Sequence, residues 1–460
     1  MPVESEEQGR MIPAGMVPDD ARQIMERLES AGYEAYLVGG CVRDMLIGRT
    51  PSDYDITTNA EPDQTEAVFS DQNTLGIGKK HGTIGVVMPG GVYEVTTYRI
   101  DGEYTDHRRP DSVTFTRSLI EDLKRRDFTI NAMAMDLRGK IIGVEHSRED
   151  LENGIIRAVG DPDRRFQEDA LRIMRGIRFA AQLQYRIEEE TGAALIRNKA
   201  LLQDIAAERI RVELDKLLVS ENPVPVLREY REVIAEILPE LRAGFDFNQQ
   251  NPFHCYDVYE HILHAVEQVP PDRVLRLAAL LHDVGKPACF IVRDGWGHFY
   301  GHEHKSAEMT DEAMRRLKYD NRTREIVTGL VKAHGTVFNP TEKYARKKIN
   351  RLGADQLLRL IQLERADVSA QAEAVRAERV RGIDEFREIV ERVLAGSHCF
   401  SQKDLAVNGS DIIAIGVPEG PLVGKILKEL LEKVLDEDTV NERGALLKEA
   451  EVLKSRYMKG

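Results

Sequence analysis

A chain of 460 residues, 31% of them charged and with a net charge of −14, is too long for one hydrophobic core and is expected to form roughly two to four domains. The acidic balance argues against a protein that grips polyanions over its whole surface, and no run of about eighteen apolar residues offers a membrane span. The N-terminal Met1-Pro-Val-Glu-Ser-Glu-Glu7 lacks the basic and apolar regions of a secretory signal. The four cysteines, Cys41, Cys255, Cys289 and Cys399, have no Cys-x-x-Cys spacing, so ordinary thiols in a reducing cytoplasm are expected.

In chain order, Tyr36-Leu-Val38 reads as a short apolar strand, Gly39-Gly40 as a tight turn and Val42 to Leu46 as the start of a helix. Backbone N–H groups at such a start, with Arg43 beside them, suit an anion. Asp53 and Asp55 follow; on a strand, residues two apart project from one face. Paired carboxylates suit Mg²⁺ ions that complete their shells with a nucleotide's phosphates. Alone, an Asp-x-Asp would be surface decoration and a Gly-Gly only a turn. Together they form the apparatus of phosphoryl or nucleotidyl transfer. The run Gly39-Gly-Cys-Val-Arg-Asp44, then Asp53-Tyr-Asp55, resembles the first motif of the class II tRNA nucleotidyltransferases and bacterial poly(A) polymerases. That resemblance implies that Asp53 and Asp55 hold the metals which activate an RNA 3′-hydroxyl and stabilise the leaving pyrophosphate. Glu94, on the strand predicted over 92–98, is a weaker candidate for a third acidic group.

Lys79 to Met88 alternates as a strand should and pairs with Gly91 to Arg99 through the Pro89-Gly90-Gly91 turn. Segment 99–111 is polar and charged, without helical or strand periodicity. It reads as a solvated loop or a gate near the site, and it resembles the flexible loop of the family members that add A. Glu121 to Asp136 contains Arg125-Arg-Asp127, similar to the family's Arg-Arg-Asp motif. The resemblance gives Arg125 and Arg126 the triphosphate, for which the planar guanidinium fork is suited, and gives Asp127 the ribose hydroxyls.

From Phe166 onward, Leu171, Met174, Ile177 and Phe179 trace a helical stripe. Asp169 and Arg172, three apart, share a face and can meet. Such a pair is either a surface ion pair or a base-reading device. A carboxylate accepts from the exocyclic amine of C or A while a guanidinium donates to the adjacent ring nitrogen; U and G present the reverse at the amine position. The stretch resembles the family's Glu-Asp-x-x-Arg nucleotide-selecting helix, with Glu168, Asp169 and Arg172 in matching places and Arg175 and Arg178 beyond them. Ala207 to Leu218 is amphipathic and resembles the neck element that braces that helix, with Ile210, Leu214 and Leu217 expected in the core. Basic clusters at 124–126, 164–165, 172–178, 209–211 and 346–348 suggest a focused RNA track on an acidic body.

Eight of the twelve histidines lie between His254 and His334. Imidazole with carboxylate is a normal shell for first-row transition metals. The order His254 and His261, His282-Asp283, His302 and His304, His334, Asp367 resembles the HD phosphohydrolase domain. On that resemblance His261, His282, Asp283 and Asp367 are metal ligands, His302 and His334 suit a second ion, and metal-activated water would hydrolyse phosphoesters. The remainder is helical and charged, and its tail resembles the tRNA-gripping end of the family.

An α+β protein is therefore expected: a small mixed-sheet nucleotidyltransferase head (1–150), a helical neck with the nucleotide-selecting helix (151–245), an all-helical HD domain (246–372) and a helical tail (373–460). The resemblance implies template-independent addition of CCA to the tRNA 3′ end from CTP and ATP, with Mg²⁺ at the head, a divalent transition metal at the HD site, and no membrane partner. The alternatives are an A-adding enzyme, a poly(A) polymerase, or chiefly an HD phosphohydrolase whose head positions RNA.

Overall fold

The computed structural model describes residues 14–76, 78–102, 112–396 and 399–458. The chain divides into two compact units, 1–239 and 240–460.

Unit 1 opens with α1 (Asp19–Ser30), whose Ala21, Ile24, Met25 and Leu28 are buried at helical spacing. There follow β1 (Ala35–Val38), α2 (Gly40–Leu46), β2 (Ile56–Thr58), α3 (Pro62–Val68), β3 (Thr74–Leu75), β4 (Thr83–Met88) and β5 (Gly91–Thr97). Next come β6 (Arg99–Asp101), β7 (Val113–Phe115), α4 (Leu119–Lys124), β8 (Met133–Met135) and β9 (Ile141–Gly143). Seven of these strands form one sheet in the order β3-β4-β5-β2-β1-β8-β9. It is mixed, because β2 runs parallel to β5 while β1 pairs antiparallel with both β2 and β8. The fold is α+β, as expected. Lys79–His81, expected to begin a strand, form a 3₁₀ turn, and β4 starts only after Gly82, which turns the chain with a φ of 88°. Of the loop 99–111, residues 99–101 pair with β7; positions 103–111 lie outside the described residues.

The rest of unit 1 is helical apart from the short pair β10 (Ile155–Ile156) and β11 (Arg186–Ile187). Its helices are α5 (Ser147–Asn153), α6 (Pro162–Glu168), α7 (Leu171–Leu183), α8 (Glu189–Arg197), α9 (Ala207–Leu218), α10 (Val224–Glu229) and α11 (Arg231–Ile237). Pro162 at the first turn and the Asp161 carboxylate, which accepts the Arg164 N–H at 3.1 Å, start α6. Ile210, Leu214 and Leu217 of α9 are buried, as the stripe required.

Unit 2 contains α12 (Val258–Gln268), α13 (Arg273–Leu281), the hairpin β12 (Ile291–Arg293) and β13 (Trp296–His298), α14 (His302–Arg316), α15 (Asn321–Ala333), α16 (Glu342–Leu352), α17 (Ala354–Ser369) and α18 (Glu373–Gly396). It ends with α19 (Gly409–Ala414), α20 (Pro421–Leu435) and α21 (Arg443–Met458). Aspartates 257, 272 and 320 cap α12, α13 and α15 through the N–H of the third helical residue. Phe386 and Val390 of α18 share a core with Ile349 and Ile361, while Ile412, Leu430 and Leu453 belong to a separate core. Among the described residues no helix is long and apolar enough to cross a membrane.

Candidate functional site

β1 ends at Val38, and Gly39, with a φ of 83°, turns the chain into α2. The Gly39 N–H donates to the Met133 carbonyl (3.0 Å) and the Val38 N–H to the Asp55 carbonyl (3.0 Å). The turn is thus stitched to both neighbouring segments. A Cβ at Gly39 would lie 2.9 Å from Nη1 of Arg126, so that guanidinium rests against the glycine; at Gly40 it would meet only Arg43 Nη2, at 3.7 Å.

Asp53 and Asp55 do not lie on a strand. They precede β2 in an irregular segment, because β1, the partner that would carry the ladder further, turns away at Gly39. This leaves the carboxylates exposed at the end of the sheet. Asp55 and Glu94 each come immediately before the paired residues Ile56 and Val95, so two acids meet at one edge. Crowded by surrounding protein first, then by the charges of Asp53 and Glu94, the Asp55 carboxyl is pushed up to about 6, against the pull of Arg126. Glu94 is therefore part of the acidic neighbourhood.

Arg43 is buried. It donates to Asn131 Oδ1 (2.6 Å) and Asp44 Oδ1 (2.9 Å), so it braces α2. Arg125 donates to Asp122 (2.8 Å), whose other oxygen lies 3.5 Å from Arg126. Asp122, fully buried, holds both phosphate-binding candidates. Sequence reasoning missed it, although its spacing of three and four residues from the arginines was the available signal. Asp127 is buried with its acceptor positions filled: Oδ1 takes the Phe128 N–H (2.8 Å) and Asn131 Nδ2 (3.2 Å), and Oδ2 takes two nitrogens of Arg175 (2.8 and 2.6 Å). Burial opposes its ionisation, but Arg175 and Arg172 hold it well below the usual carboxylate range.

The helix expected to run unbroken from Phe166 is interrupted. α6 stops at Glu168, Asp169 is extended (φ −135°, ψ 102°), and α7 begins at Leu171. Asp169 accepts the Leu171 N–H at 3.1 Å, the local competition with helix bonding typical of aspartate. The expected Asp169–Arg172 side-chain pair is consequently not formed. Arg172 binds Glu168 Oε2 (2.8 Å) and the carbonyls of Arg125 (3.0 Å) and Arg165 (3.1 Å). Asp169 binds Arg209 of α9 (3.1 Å), a residue sequence reasoning noted only as part of a basic cluster. Arg178 meets Glu213 of α9 at 2.8 Å. Two ion pairs thus clamp α7 and its approach to α9, and neither could be read across 35 to 40 positions of sequence. Arg165, Arg346 and Lys347 are likewise paired with acids, so much of the basic signal is spent within the protein.

In unit 2, His261, His282, Asp283 and Asp367 converge, and Asp283 is shared with His302 and His334, each set placing its ligand atoms within 4.8 Å of one another. His261 Nε2 lies 2.8 Å from Asp367 Oδ1 and 3.2 Å from Asp283 Oδ2; His282 Nε2 is 3.2 Å from the same Asp283 oxygen. Nε2 of His302 and His334 each lie 3.4 Å from Asp283 Oδ1. The Nδ1 atoms face carbonyls: Ala279 for His282 (2.7 Å), Phe299 for His302 (2.7 Å), Ala370 for His261 (3.4 Å) and Val331 for His334. With Nδ1 so anchored, each ring presents its Nε2 to the carboxylates, the orientation that metal-binding histidines need. His282 and Asp283 are buried at the centre of this set, where the converging Nε2 and carboxylate oxygen atoms could hold a cation. Burial pushes Asp283 up, yet His282 and Lys286, whose Nζ is 2.5 Å away, hold it well below its ordinary value. His254 stacks edge-on against His261 and is kept neutral, pushed down to about 3 by burial and Lys286. His304 is exposed. Neither joins the cluster.

Three family models match the chain: "Poly A polymerase head domain" over residues 35–157, "Probable RNA and SrmB-binding site of polymerase A" over 184–244, and tRNA nucleotidyltransferase domain 2 over 294–450. A CCA-adding enzyme of Leuconostoc mesenteroides is 35% identical over 433 residues, covering 93% of this chain and 95% of the relative. This chain belongs to the CCA-adding enzyme family. Its relative in Geobacillus kaustophilus is 36% identical, covering 92% of this chain and 94% of that one. The crystal structure of the Bacillus stearothermophilus CCA-adding enzyme in complex with CTP superposes with a TM-score of 0.70 at 31% identity, covering 96% of this chain and 98% of the other. The Thermotoga maritima CCA-adding enzyme complexed with tRNA shares the fold, with a TM-score of 0.59 at 20% identity and coverage of 96% and 98%. The CCA-adding family is a family of nucleotidyltransferases, and the mixed sheet with its glycine turn and acidic edge is this member's head.

Proposed function

We propose that this chain completes tRNA 3′ ends, adding C, C and then A from CTP and ATP in the cytoplasm. The observation that carries the reading is the acidic edge of Asp53, Asp55 and Glu94 with Arg126 against the Gly39 turn, in a chain alike over 93% of its length to a CCA-adding enzyme. Asp53 and Asp55 would hold Mg²⁺, which lowers the proton affinity of the attacking 3′-hydroxyl and offsets charge on the leaving pyrophosphate. Burial and then like-charge crowding raise Asp55, and a cation relieves the second.

The chain's own residues do the rest. Arg125 and Arg126, preset by Asp122, offer guanidinium forks to the triphosphate. Gly39 and Gly40 let backbone approach it, and Arg43 holds α2 in place. Asp127 keeps Arg175 at the site and takes the ribose only by exchanging one of its present partners. Asp169, placed by Arg209, and Arg172, placed by Glu168, read the base with the acceptor and donor positions that those ion pairs leave open. The head (1–150), neck (151–245), histidine-rich domain (246–372) and tail (373–460) divide the work, with tRNA gripped by the tail.

A second reading concerns unit 2. His261, His282, Asp283 and Asp367 would hold a divalent transition metal, which supplies an activated water for phosphoester hydrolysis. The carbonyl-anchored Nδ1 atoms support it.

The test is incorporation of each labelled nucleotide into tRNAs ending at the discriminator base, at C and at CC. Stepwise C, C, A and then arrest is the expected result. Addition of A only to the CC end would make the protein an A-adding enzyme, and long A tails on any RNA a poly(A) polymerase. Loss of all activity in His282→Ala with none in Asp53→Ala would make it chiefly a hydrolase.

A further inference from the structure

The hairpin β12–β13 carries the only tryptophan of the chain. Its strands pair Arg293 with Trp296 and Ile291 with His298. They are joined by Asp294-Gly295, both at positive φ (51° and 81°), the combination a tight two-residue hairpin turn demands. Alternate residues share a face, so Trp296 and His298 line up on one side, with Arg293 beside Trp296, and Tyr300 in the turn that follows lays its ring beside that of His298. Trp296 is 49% and Tyr300 64% exposed. The His298 and Tyr300 rings are parallel within 6°, with centroids 5.3 Å apart.

The opposite side of the same strand is fixed to the body of unit 2. The Gly297 N–H donates to the Gln250 carbonyl (2.8 Å), and the Gly297 carbonyl accepts from Asn251 Nδ2 (3.0 Å). A Cβ at 297 would fall 2.1 Å from the Gln249 carbonyl oxygen, so only glycine permits this approach. Phe299 packs against Phe290 (5.5 Å), and its carbonyl accepts from Nδ1 of His302 (2.7 Å). The strand that carries the aromatic face is therefore anchored, and its end is bonded directly to a residue of the histidine–aspartate cluster.

We infer that the Trp296–His298–Tyr300 face stacks the bases of an unpaired nucleic-acid strand and delivers one of its phosphates to the cluster. Flat rings with polar edges, left open to solvent on an anchored strand, are the platform that single-stranded nucleic acids use without regard to sequence. Arg293, whose side chain is 69% exposed, adds a cation on the same face. A cluster built to hold a metal beside the platform needs a phosphate, which a nucleotide strand carries and an apolar peptide does not. The stacking stands on the hairpin alone; the delivery of phosphate rests on the metal-dependent reading of unit 2.

The experiment uses the emission of Trp296 in the full chain, titrated with a six-nucleotide oligoadenylate without divalent metal. Saturable quenching is expected, with an abasic sugar-phosphate of equal length producing little. Tyr300→Ala should weaken the apparent Kd about tenfold and Tyr300→Phe should restore it, while metal content measured by atomic emission stays unchanged in both. Absence of quenching, equal quenching by the abasic strand, or a Tyr300→Ala curve that matches the wild type overturns the proposal. Full metal content without quenching sinks the platform alone; quenching with no bound metal sinks the hydrolytic reading alone.

Discussion

Asp55 keeps an exposed face beside two other acids, whereas Asp283 is 1% exposed among imidazoles and Lys286. The first site is open, and its like charges repel one another until a cation arrives. The second is largely buried, with imidazole Nε2 atoms converging on its carboxylates and their Nδ1 atoms anchored on carbonyls. An open acidic edge suits a metal that comes and goes with a triphosphate, since Mg²⁺ keeps waters and borrows phosphate oxygens. A buried set of imidazoles suits a resident ion. The contrast teaches that one chain can offer a cation two kinds of setting, an open carboxylate edge and a buried histidine–aspartate set, and that burial separates the two.

The sharpest way to break this contrast is to remove the carboxylates one unit at a time. Asp53→Ala or Asp55→Ala should lower nucleotide addition about 10³-fold or more, with the metal content of unit 2 intact. His282→Ala should do the opposite: bound transition metal is lost in elemental analysis, while addition to tRNA survives. If dialysis against a weak chelator strips unit 2 as readily as it stops addition, the contrast fails.

Arg209→Ala tests the clamp between α7 and α9. Freed from its partner, Asp169 loses its placement, and kcat/KM for CTP and ATP should fall about tenfold, with UTP and GTP rising relative to them. Unchanged discrimination would show that the pair only supports the fold.

The smallest expected effect is on pH. With Asp55 pushed up to about 6, addition should decline below that pH as the carboxyl protonates and releases metal, and Glu94→Gln should move this acid limb downward by a fraction of a unit. Folding raises this group above its unfolded value, so its contribution to stability is present at low pH and lost as pH rises through about 6. Asp55→Asn should accordingly raise the melting temperature of the metal-free protein at pH 8, with the difference shrinking toward pH 5.

Local spacing made several features legible. The strand, glycine turn and helix around Gly39, the α9 stripe and the concentration of histidines all follow from short-range pattern. What escaped was set partly by competition between a side chain and its own backbone, and partly by partners far along the chain. Asp53 and Asp55 fall outside β2 because β1 turns away. Asp169 breaks its helix because its own carboxylate competes for the Leu171 N–H, and a spacing argument that assumes an unbroken helix then pairs it wrongly. Asp127 with Arg175, and Asp169 with Arg209, are 48 and 40 positions apart, beyond any periodicity.

The turn at Gly39 also sets the local tolerance to mutation. Position 39 combines a left-handed backbone with a guanidinium 2.9 Å from any added carbon, whereas Gly40 leaves 3.7 Å of room. In a saturation library of this turn, position 39 should act as a one-residue bottleneck while 40 admits alanine. Two adjacent glycines that look interchangeable on paper would then tolerate substitution very differently.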